Sequence, residues 1–315
     1  MSILQQKYHK PNAISPAYRG AGHKLIVILG PNASGKTSLA IKLAKKFHGE
    51  IVSADSRQVF QGLDIGTGKA TKAEQRMVRH YLIDVAKLTQ EFNVSHFKKL
   101  AIKTIQKIQQ KNKLPFLVGG TGFWIQTVVD NIDFPAVKPN KALRKKLAKY
   151  PLKKLYQILK KLDSQRARDI DRQNPYRLIR AIEIAKTGYQ VRPIKGKPIF
   201  DTLILGLTHP RKKLYQLIDK RLEKRLRQGL IAEVKKLHKQ GLSWQRLYNF
   251  GLEYRYVSLY LQNKITKEQM IEQLKNAIHH YAKRQMTWFS RDKRIRWLNN
   301  QKQATTLIKK FISQK

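Results

Sequence analysis

The chain has 315 residues, of which 41% are hydrophobic, and its 65 Lys and Arg against 20 Asp and Glu give a formal net charge of +45. The hydrophobic content is typical of a globular protein and excludes an intrinsically disordered chain. Because there is no cysteine, disulfides, thiolate zinc sites and cysteine nucleophiles are excluded as well. The charge favours a polyanionic partner such as nucleic acid, although a proteome with a general basic bias would produce the same excess.

The first 22 residues contain two prolines and no apolar periodicity, which predicts an N-terminal extension. Residues 1–23 also lack the apolar stretch of a secretory signal. The first apolar run, residues 25–29, is far too short to span a bilayer. We therefore expect a cytoplasmic protein without a membrane partner.

Residues 23–135 alternate between strand-like and helix-like patterns. The predicted strands are residues 25–29, 51–54, 81–85 and 116–118, and the predicted helices are residues 36–47 and 94–108. Apolar strands that alternate with amphipathic helices are typical of a mainly parallel sheet covered on both faces. We therefore predict an α/β fold of the P-loop NTPase type, with helices flanking the sheet.

The pattern changes at residues 136–199, which become helical and strongly basic. This stretch holds 19 Lys and Arg against 4 Asp and Glu, without the mixed charges of an ordinary solvated helix face. We interpret it as an inserted helical subdomain that holds a polyanion. Residues 200–315 then rejoin residues 23–135 in one α/β domain, with strand patterns at 201–207 and 295–298 and helical patterns at 212–227, 231–240 and 267–291.

Residues 30–37 form a glycine-rich loop between the first predicted strand and helix, and read Gly-Pro-Asn-Ala-Ser-Gly-Lys-Thr. They match the pattern G-x-x-x-x-G-K-[ST] of loops whose backbone N–H groups bind phosphates. The predicted phosphate-binding residues are Gly30, Asn32, Ala33, Ser34, Gly35, Lys36 and Thr37. The Thr37 hydroxyl suits Mg²⁺, and the alternative is a glycine turn without a ligand. The loop does not reveal which pyrophosphate it binds.

Two further features follow predicted strands. Asp55 comes directly after the second strand, and the turn Gly119-Gly120-Thr121-Gly122 follows the strand at 116–118. Ligands of open parallel sheets bind at the carboxyl ends of strands, so Asp55 is a candidate general base or metal ligand, although a capping aspartate would occupy the same place. Thr121 is a candidate hydrogen-bonding group, although glycines also simply make turns.

These features belong to an ordered series of motifs. The series comprises residues 30–37, 53–59 (SADSRQV), 62–67 (GLDIGT), 80–84 (HYLID), 119–122 (GGTG), 174–183 (NPYRLIRAIE), 210–221 and 281–289 (YAKRQMTWF). In this order, over about residues 24–298, the chain resembles the tRNA dimethylallyltransferase (tRNA isopentenyltransferase) family. Residues 23–135 and 200–315 then correspond to the catalytic domain, and residues 136–199 to a tRNA-binding subdomain.

The resemblance implies a prenyl transfer. The loop at residues 30–37 would hold the pyrophosphate of dimethylallyl diphosphate with Mg²⁺. The acceptor would be the exocyclic amine of the adenosine just 3′ of the anticodon. Asp55 matches the family's general base, Thr121 matches a threonine that contacts the adenine, and Arg221 matches an arginine that stabilises the departing pyrophosphate.

The resemblance also implies a contact surface for the tRNA anticodon stem-loop. The matching positions are Asp55, Ser56, Arg57, Gln58, Thr121, Arg144, Tyr176, Arg177, Leu178, Ile179, Arg180, Lys283, Arg284 and Gln285. For each arginine the alternative is an ordinary surface charge. We expect the protein to act as a monomer.

The sequence departs from the family pattern at Gly251. The family has Gly-Tyr followed by a basic residue, whereas this chain reads Gly251-Leu-Glu-Tyr254. Three other functions stay open at this point. They are a P-loop kinase or NTPase acting on a small molecule, a nucleic-acid-binding protein with a nucleotide switch, and prenylation of free adenine nucleotides.

Overall fold

The computed structural model describes residues 23–189 and 196–314, so the predicted N-terminal extension at residues 1–22 lies outside the described residues. The chain divides into two compact units. The described part of residues 132–197 forms the smaller unit, and the segments before and after it form the larger one. The sequence interpretation places the boundaries of the insertion at residues 136 and 199.

A six-stranded sheet forms the centre of the larger unit, with the strand order β3-β2-β4-β1-β5-β6. The strands are β1 (Lys24–Leu29), β2 (Gly49–Ser53), β3 (His80–Tyr81), β4 (Leu114–Gly119), β5 (Asp201–Gly206) and β6 (Arg296–Trp297). Every neighbouring pair is parallel. β1 and β4 are buried along their whole length, as central strands of a covered parallel sheet should be. The predicted α/β fold with a mainly parallel sheet is therefore confirmed.

Helices account for most of the remaining described residues. Those before the smaller unit are α1 (Lys36–Lys46), α2 (Lys72–Met77), α3 (Val94–Gln110) and α4 (Gly122–Val129). Those within it are α5 (Lys141–Leu147), α6 (Leu152–Leu162), α7 (Ser164–Asp169) and α8 (Pro175–Ala185). Those after it are α9 (Arg211–Arg227), α10 (Leu230–Lys239), α11 (Trp244–Phe250), α12 (Leu252–Leu261), α13 (Lys267–Phe289) and α14 (Gln301–Ser313). Among these described helices, none combines the length and apolar character that a membrane crossing requires.

The sheet separates two hydrophobic layers. Side chains alternate along a strand, so Leu25 and Val27 of β1 belong to one layer and Ile26 and Ile28 to the other. Residues of α3, α4, α9 and α13 contribute to the first layer, and residues of α1 and α14 to the second. Both faces are therefore covered, and the carboxyl ends of the strands all lie at one edge of the sheet.

One predicted strand is much shorter than the sequence pattern indicates. The prediction at residues 81–85 is wrong in extent, because β3 ends at Tyr81. Leu82 and Asp84 have φ angles of 60° and 58°, in the left-handed region that a strand cannot contain. The apolar residues beyond Tyr81 therefore belong to a turn.

The smaller unit has its own apolar core, which α6 and α8 supply in large part. Leu155 and Leu159 of α6 pack with Leu178 and Ile182 of α8. Such a core holds short helices together that would not be stable alone in water. The basic residues of this stretch lie largely outside the core.

Candidate active site

The phosphate-loop residues occupy the turn between β1 and α1. Gly35 precedes α1 in the left-handed region, with φ 87°, which glycine adopts without a Cβ penalty. The first N–H groups of α1 have no acceptor within the helix, so they are available to an anion. Lys36 donates from Nζ to the Pro31 carbonyl oxygen at 2.9 Å, which folds its side chain back along the loop. The local geometry is that of a phosphate cradle.

A cavity of about 840 Å³ lies over this loop. The loop contributes Ala33, Gly35, Lys36 and Thr37 to its wall, and α9 contributes Arg221, Lys224 and Arg225. Residues between β2 and α3 complete the wall; they include Asp64, Gly68, Lys69, Lys72, Glu74 and Asp84. The predicted phosphate loop and the predicted leaving-group arginine therefore line one cavity.

The cavity wall carries more basic than acidic side chains. Burial, and after it the neighbouring charge of Arg221, lower the pKa of Lys36 to about 8. Burial likewise lowers the pKa of Arg221 to about 10, with Arg225 as the next cause. Cations that depress one another's pKa in this way lack sufficient counter-charge, and a bound polyanion would supply it.

Asp84, which follows β3, also lines the cavity. Its carboxylate is paired with Lys69, which also binds Asp64 at 2.8 Å. No cluster of three or more His, Cys, Asp or Glu side chains suited to a metal ion occurs among residues 23–189 and 196–314. A cation at this cavity would therefore take most of its ligands from a bound phosphate, with Thr37 as the protein oxygen.

Asp55 and Thr121 lie side by side at the carboxyl ends of β2 and β4. Asp55 Oδ1 accepts hydrogen bonds from the N–H groups of Arg57 at 2.9 Å and Gln58 at 3.3 Å. Thr121 Oγ1 accepts from the Ser56 N–H at 3.2 Å. Gly120, which precedes Thr121, lies against the phosphate loop, because a Cβ added there would be 3.6 Å from Lys36 Cε. Asp55 and Thr121 therefore stand at the strand edge that adjoins the loop.

Gln285 of α13 joins the phosphate loop to the turn that carries Thr121. Its Oε1 accepts from the Asn32 N–H at 2.9 Å, and its Nε2 donates to the Gly120 carbonyl oxygen at 2.8 Å. A Cβ at Gly120 would lie 2.5 Å from Gln285 Nε2, so any larger residue there would have to displace this amide and its hydrogen bond. Gln285 is buried and uses both polar atoms on these backbone groups. A contact with tRNA at this position stays a prediction.

The other predicted tRNA contacts of the larger unit differ in exposure. Lys283 and Arg284 are exposed on α13. Arg57 is half-buried and donates to the Asn249 carbonyl oxygen at 3.5 Å. Gln58 is directed inwards, since its Oε1 accepts from the Ser53 hydroxyl at 2.9 Å. Burial and the nearby charge of Asp55 raise the pKa of Tyr281 to about 12, so this phenol stays neutral beside the carboxylate.

The remaining predicted contacts lie in the smaller unit. Arg144 and Arg180 both bind Glu183, the former with Nη2 at 2.7 Å from Oε2. Burial alone would raise the pKa of Glu183, but hydrogen bonds from Arg144, the Asn140 N–H and Arg180 lower it to about 2. These two arginines therefore have a structural partner, whatever else they bind.

The four other predicted contacts on α8 differ from one another in exposure. Tyr176 is 83% exposed, and Arg177 is exposed beside Asp171, with 3.8 Å between Nη1 and Oδ2. An exposed aromatic ring next to a cation suits an unpaired base. Leu178 and Ile179 are buried in the core of the unit, because their positions on α8 face inwards. Their side chains serve packing, so a tRNA contact at these two positions would have to be made by backbone atoms.

Sequence reasoning missed three charged residues around the cavity. Glu233 of α10 accepts from the N–H groups of Asp64, Ile65 and Gly66 at 3.1, 2.7 and 3.1 Å, and thereby holds the loop that forms one cavity wall. Arg225 and Glu253 form a buried ion pair. The sequence carries a signal only for Glu253, which stands where the family pattern has a basic residue.

Comparison with known proteins agrees with this geometry. The family model described as IPP transferase matches residues 58–292. A tRNA dimethylallyltransferase of Finegoldia magna is 41% identical over 287 residues, which cover 88% of this chain and 91% of the relative. That of Carboxydothermus hydrogenoformans is 40% identical over 299 residues, 92% of this chain and 96% of the relative.

Solved structures agree as well. The full-length tRNA isopentenylpyrophosphate transferase of Bacillus halodurans has a TM-score of 0.69 and 35% identity, covering 92% of this chain and 96% of its own. A eukaryotic dimethylallyltransferase acting on tRNA has a TM-score of 0.79 and 26% identity, covering 92% and 80%. These findings support the prenyltransferase interpretation over the P-loop kinase. The chain belongs to the tRNA dimethylallyltransferase family.

Proposed function

We propose that this chain transfers a dimethylallyl group from dimethylallyl diphosphate to the exocyclic amine of an adenosine in tRNA and releases pyrophosphate. The observation that carries the proposal is the position of Asp55 next to Thr121, at the strand edge where Gly120 adjoins Lys36 of the phosphate loop. A proton acceptor therefore lies beside a cationic cavity large enough for a prenyl diphosphate. A kinase or NTPase would use the cavity for a nucleotide, but neither accounts for the similarity of the chain to tRNA dimethylallyltransferases over most of its length.

The transfer forms one bond and breaks another. The lone pair of the adenine amine forms a bond to C1 of the allyl group, the C1–O bond breaks, and its electron pair leaves on the diphosphate oxygen. The proton of the amine passes to Asp55. Two backbone N–H groups fix Asp55 Oδ1, so the carboxylate is oriented before the acceptor arrives, and general-base catalysis depends on such positioning.

The adenine is oriented by Thr121. Its Oγ1 already accepts from the Ser56 N–H, so the hydroxyl hydrogen is left to donate to a ring nitrogen. The hydrogen bond from Ser56 thus sets the direction in which Thr121 donates. An adenine bound in this way, with its exocyclic amine towards Asp55, would have that amine beside its proton acceptor.

Negative charge develops on the departing diphosphate. Lys36, Arg221 and the N–H groups at the start of α1 receive that charge in a partly buried cavity, where such donors act more strongly than in water. Mg²⁺ fits a site formed by the Thr37 hydroxyl and diphosphate oxygens, because it commonly takes few protein ligands beside phosphates. When bound, it would neutralise part of the diphosphate charge.

The tRNA would be recognised through its anticodon stem-loop, with the adenosine 3′ of the anticodon as the acceptor. The net charge of +45 supports a polyanion, and the exposed Lys283 and Arg284 lie on the helix that also carries Gln285. Extrusion of a base costs a few kcal/mol, and less in a loop that is already partly unstacked. We further propose that the protein acts as a monomer, because one chain supplies every residue named for the transfer.

The test is a product analysis. The protein is incubated with labelled dimethylallyl diphosphate, Mg²⁺ and unmodified tRNA, and the digested nucleosides are analysed by mass spectrometry. We expect prenylated adenosine from tRNA and little from AMP. Absence of this product together with hydrolysis of ATP would refute the proposal and favour the kinase or NTPase alternative.

A further inference from the structure

Arg225 lies one helical turn after Arg221 on α9, and both line the cavity above the phosphate loop. Residues four apart on a helix share a face, so the two guanidinium groups point the same way. Both meet at Gly68, where an added Cβ would collide with the Nη2 atoms of Arg221 and Arg225. Gly68 has φ 60° and allows the two side chains to lie together against its backbone.

Arg225 is held at this position by a buried carboxylate. Its Nη1 lies 2.6 Å from Glu253 Oε1, and both side chains are buried. Burial raises the pKa of Glu253, and the charge of Arg225 acts against that rise. Removal of either partner would leave the other buried without a counter-charge, which is costly. Glu253 therefore fixes the direction of the guanidinium.

The ion pair does not neutralise the region. Burial is the largest cause that lowers the pKa of Lys36 and of Arg221, and the charge of Arg225 acts in the same direction on both. A salt bridge that only joined α9 to α12 would not require a position at which Arg225 repels two cations of the phosphate site. A diphosphate would remove this repulsion, because it brings several negative charges to the same wall.

We propose that Arg225 is a second guanidinium ligand of the diphosphate, positioned by Glu253. The inference deepens the proposed function and rests on its assignment of the cavity to the diphosphate. Arg225 binds Glu253 through Nη1, which leaves its other N–H groups for phosphate oxygens, as the fork of donors in arginine permits. The proposal also explains the departure from the family pattern at residues 251–254. Glu253 stands there in place of a basic residue and is the partner that positions Arg225.

The test measures binding of inorganic pyrophosphate by isothermal titration calorimetry. The variant Arg225→Met/Glu253→Gln removes the guanidinium without leaving an unpaired buried charge. We expect its pyrophosphate affinity to fall about 10- to 100-fold, equivalent to about 1.4–2.8 kcal/mol. Its affinity for tRNA should stay within about twofold of the original chain, and in turnover the donor KM should rise while the tRNA KM does not.

The matched control is a second ion pair of the larger unit that does not line the cavity. Arg294 Nη1 lies 2.6 Å from Asp130 Oδ1, and Arg294→Met/Asp130→Asn should leave pyrophosphate affinity unchanged. Equal losses in the two double variants would overturn the inference, because the effect would then be general destabilisation. If Arg225→Met/Glu253→Gln does not fold by its melting curve, Arg225→Lys replaces it. It keeps a cation beside Glu253 but lacks the other N–H groups of the guanidinium, so a loss of pyrophosphate affinity is again expected.

The outcomes also separate this inference from the proposed function. If the original chain binds pyrophosphate and the cavity variant binds it equally well, Arg225 is no ligand and the inference fails, while the donor site stands. If the original chain binds no pyrophosphate, the donor site itself is refuted and the inference falls with it.

Discussion

Replacement of Gln285 by leucine keeps the buried volume on α13 but removes both polar atoms that join the phosphate loop to the Gly120 turn. The Gly120 carbonyl is buried and would lose its partner, at a cost of about 1–3 kcal/mol, and the N–H of the half-buried Asn32 would add about 1 kcal/mol. The free energy of unfolding should therefore fall by about 2–4 kcal/mol. At about 2–4 °C per kcal/mol, the melting temperature should fall by at least about 4 °C.

The functional assay distinguishes a positioning residue from a tRNA contact. We expect Gln285→Leu to weaken pyrophosphate binding and lower kcat, because Asn32 and Gly120 lose their common anchor, while tRNA affinity changes little. Arg284→Leu is the matched control on the neighbouring, exposed position. It should weaken tRNA binding and leave the melting temperature unchanged. A Gln285→Leu variant that melts like the original chain and loses tRNA affinity instead would refute the positioning role of Gln285.

Four other predictions follow from the same structure. Asp55→Asn keeps the oxygen that accepts from the backbone N–H groups but removes the general base. Single-turnover rates should therefore fall about 10²–10⁴-fold, while tRNA affinity and the melting temperature stay unchanged. An equal loss of tRNA affinity would contradict the assignment of Asp55 as the base. Pyrophosphate affinity should decline as the pH rises through about 8, because Lys36 loses its charge there, and Lys36→Met should abolish this pH dependence in titrations. The affinity for tRNA should fall steeply with salt, and a flat response in filter binding would mean that the net charge has another cause. The pKa of Glu183 is lowered from 4.5 to about 2. The ionised carboxylate therefore stabilises the fold above pH 4.5, and this stabilisation is lost as the pH falls towards 2. Glu183→Gln should remove that part of the acid-unfolding profile, which circular dichroism follows.

Local patterns predict the part of the site that is built from short segments. The loop before α1, Asp55 after β2 and Thr121 after β4 each follow a buried strand, and parallel strands bring their carboxyl ends to one edge. The topology alone therefore places these groups together. The sequence pattern predicts too long a β3, because the apolar residues after Tyr81 continue the strand pattern. The backbone, however, enters the left-handed region at Leu82.

Long-range contacts explain what the sequence did not predict. Gln285 lies 253 positions from Asn32, and a glutamine on a basic helix looks like a surface residue. Arg225 and Glu253 each resemble ordinary helix charges, and only their burial against each other identifies them as a pair. Contacts of this kind depend on how α9, α12 and α13 pack, which no local pattern encodes.

The link through Gln285 has a thermodynamic consequence. One side-chain amide binds the phosphate loop with its oxygen and the Gly120 turn, which carries Thr121, with its nitrogen. A ligand that shifts either segment changes the hydrogen bond that holds the other, so we expect the donor and tRNA affinities to be coupled. Linkage requires the coupling to be reciprocal: the factor by which pyrophosphate changes tRNA affinity equals the factor by which tRNA changes pyrophosphate affinity. The binding free energies of the two substrates are then not independent.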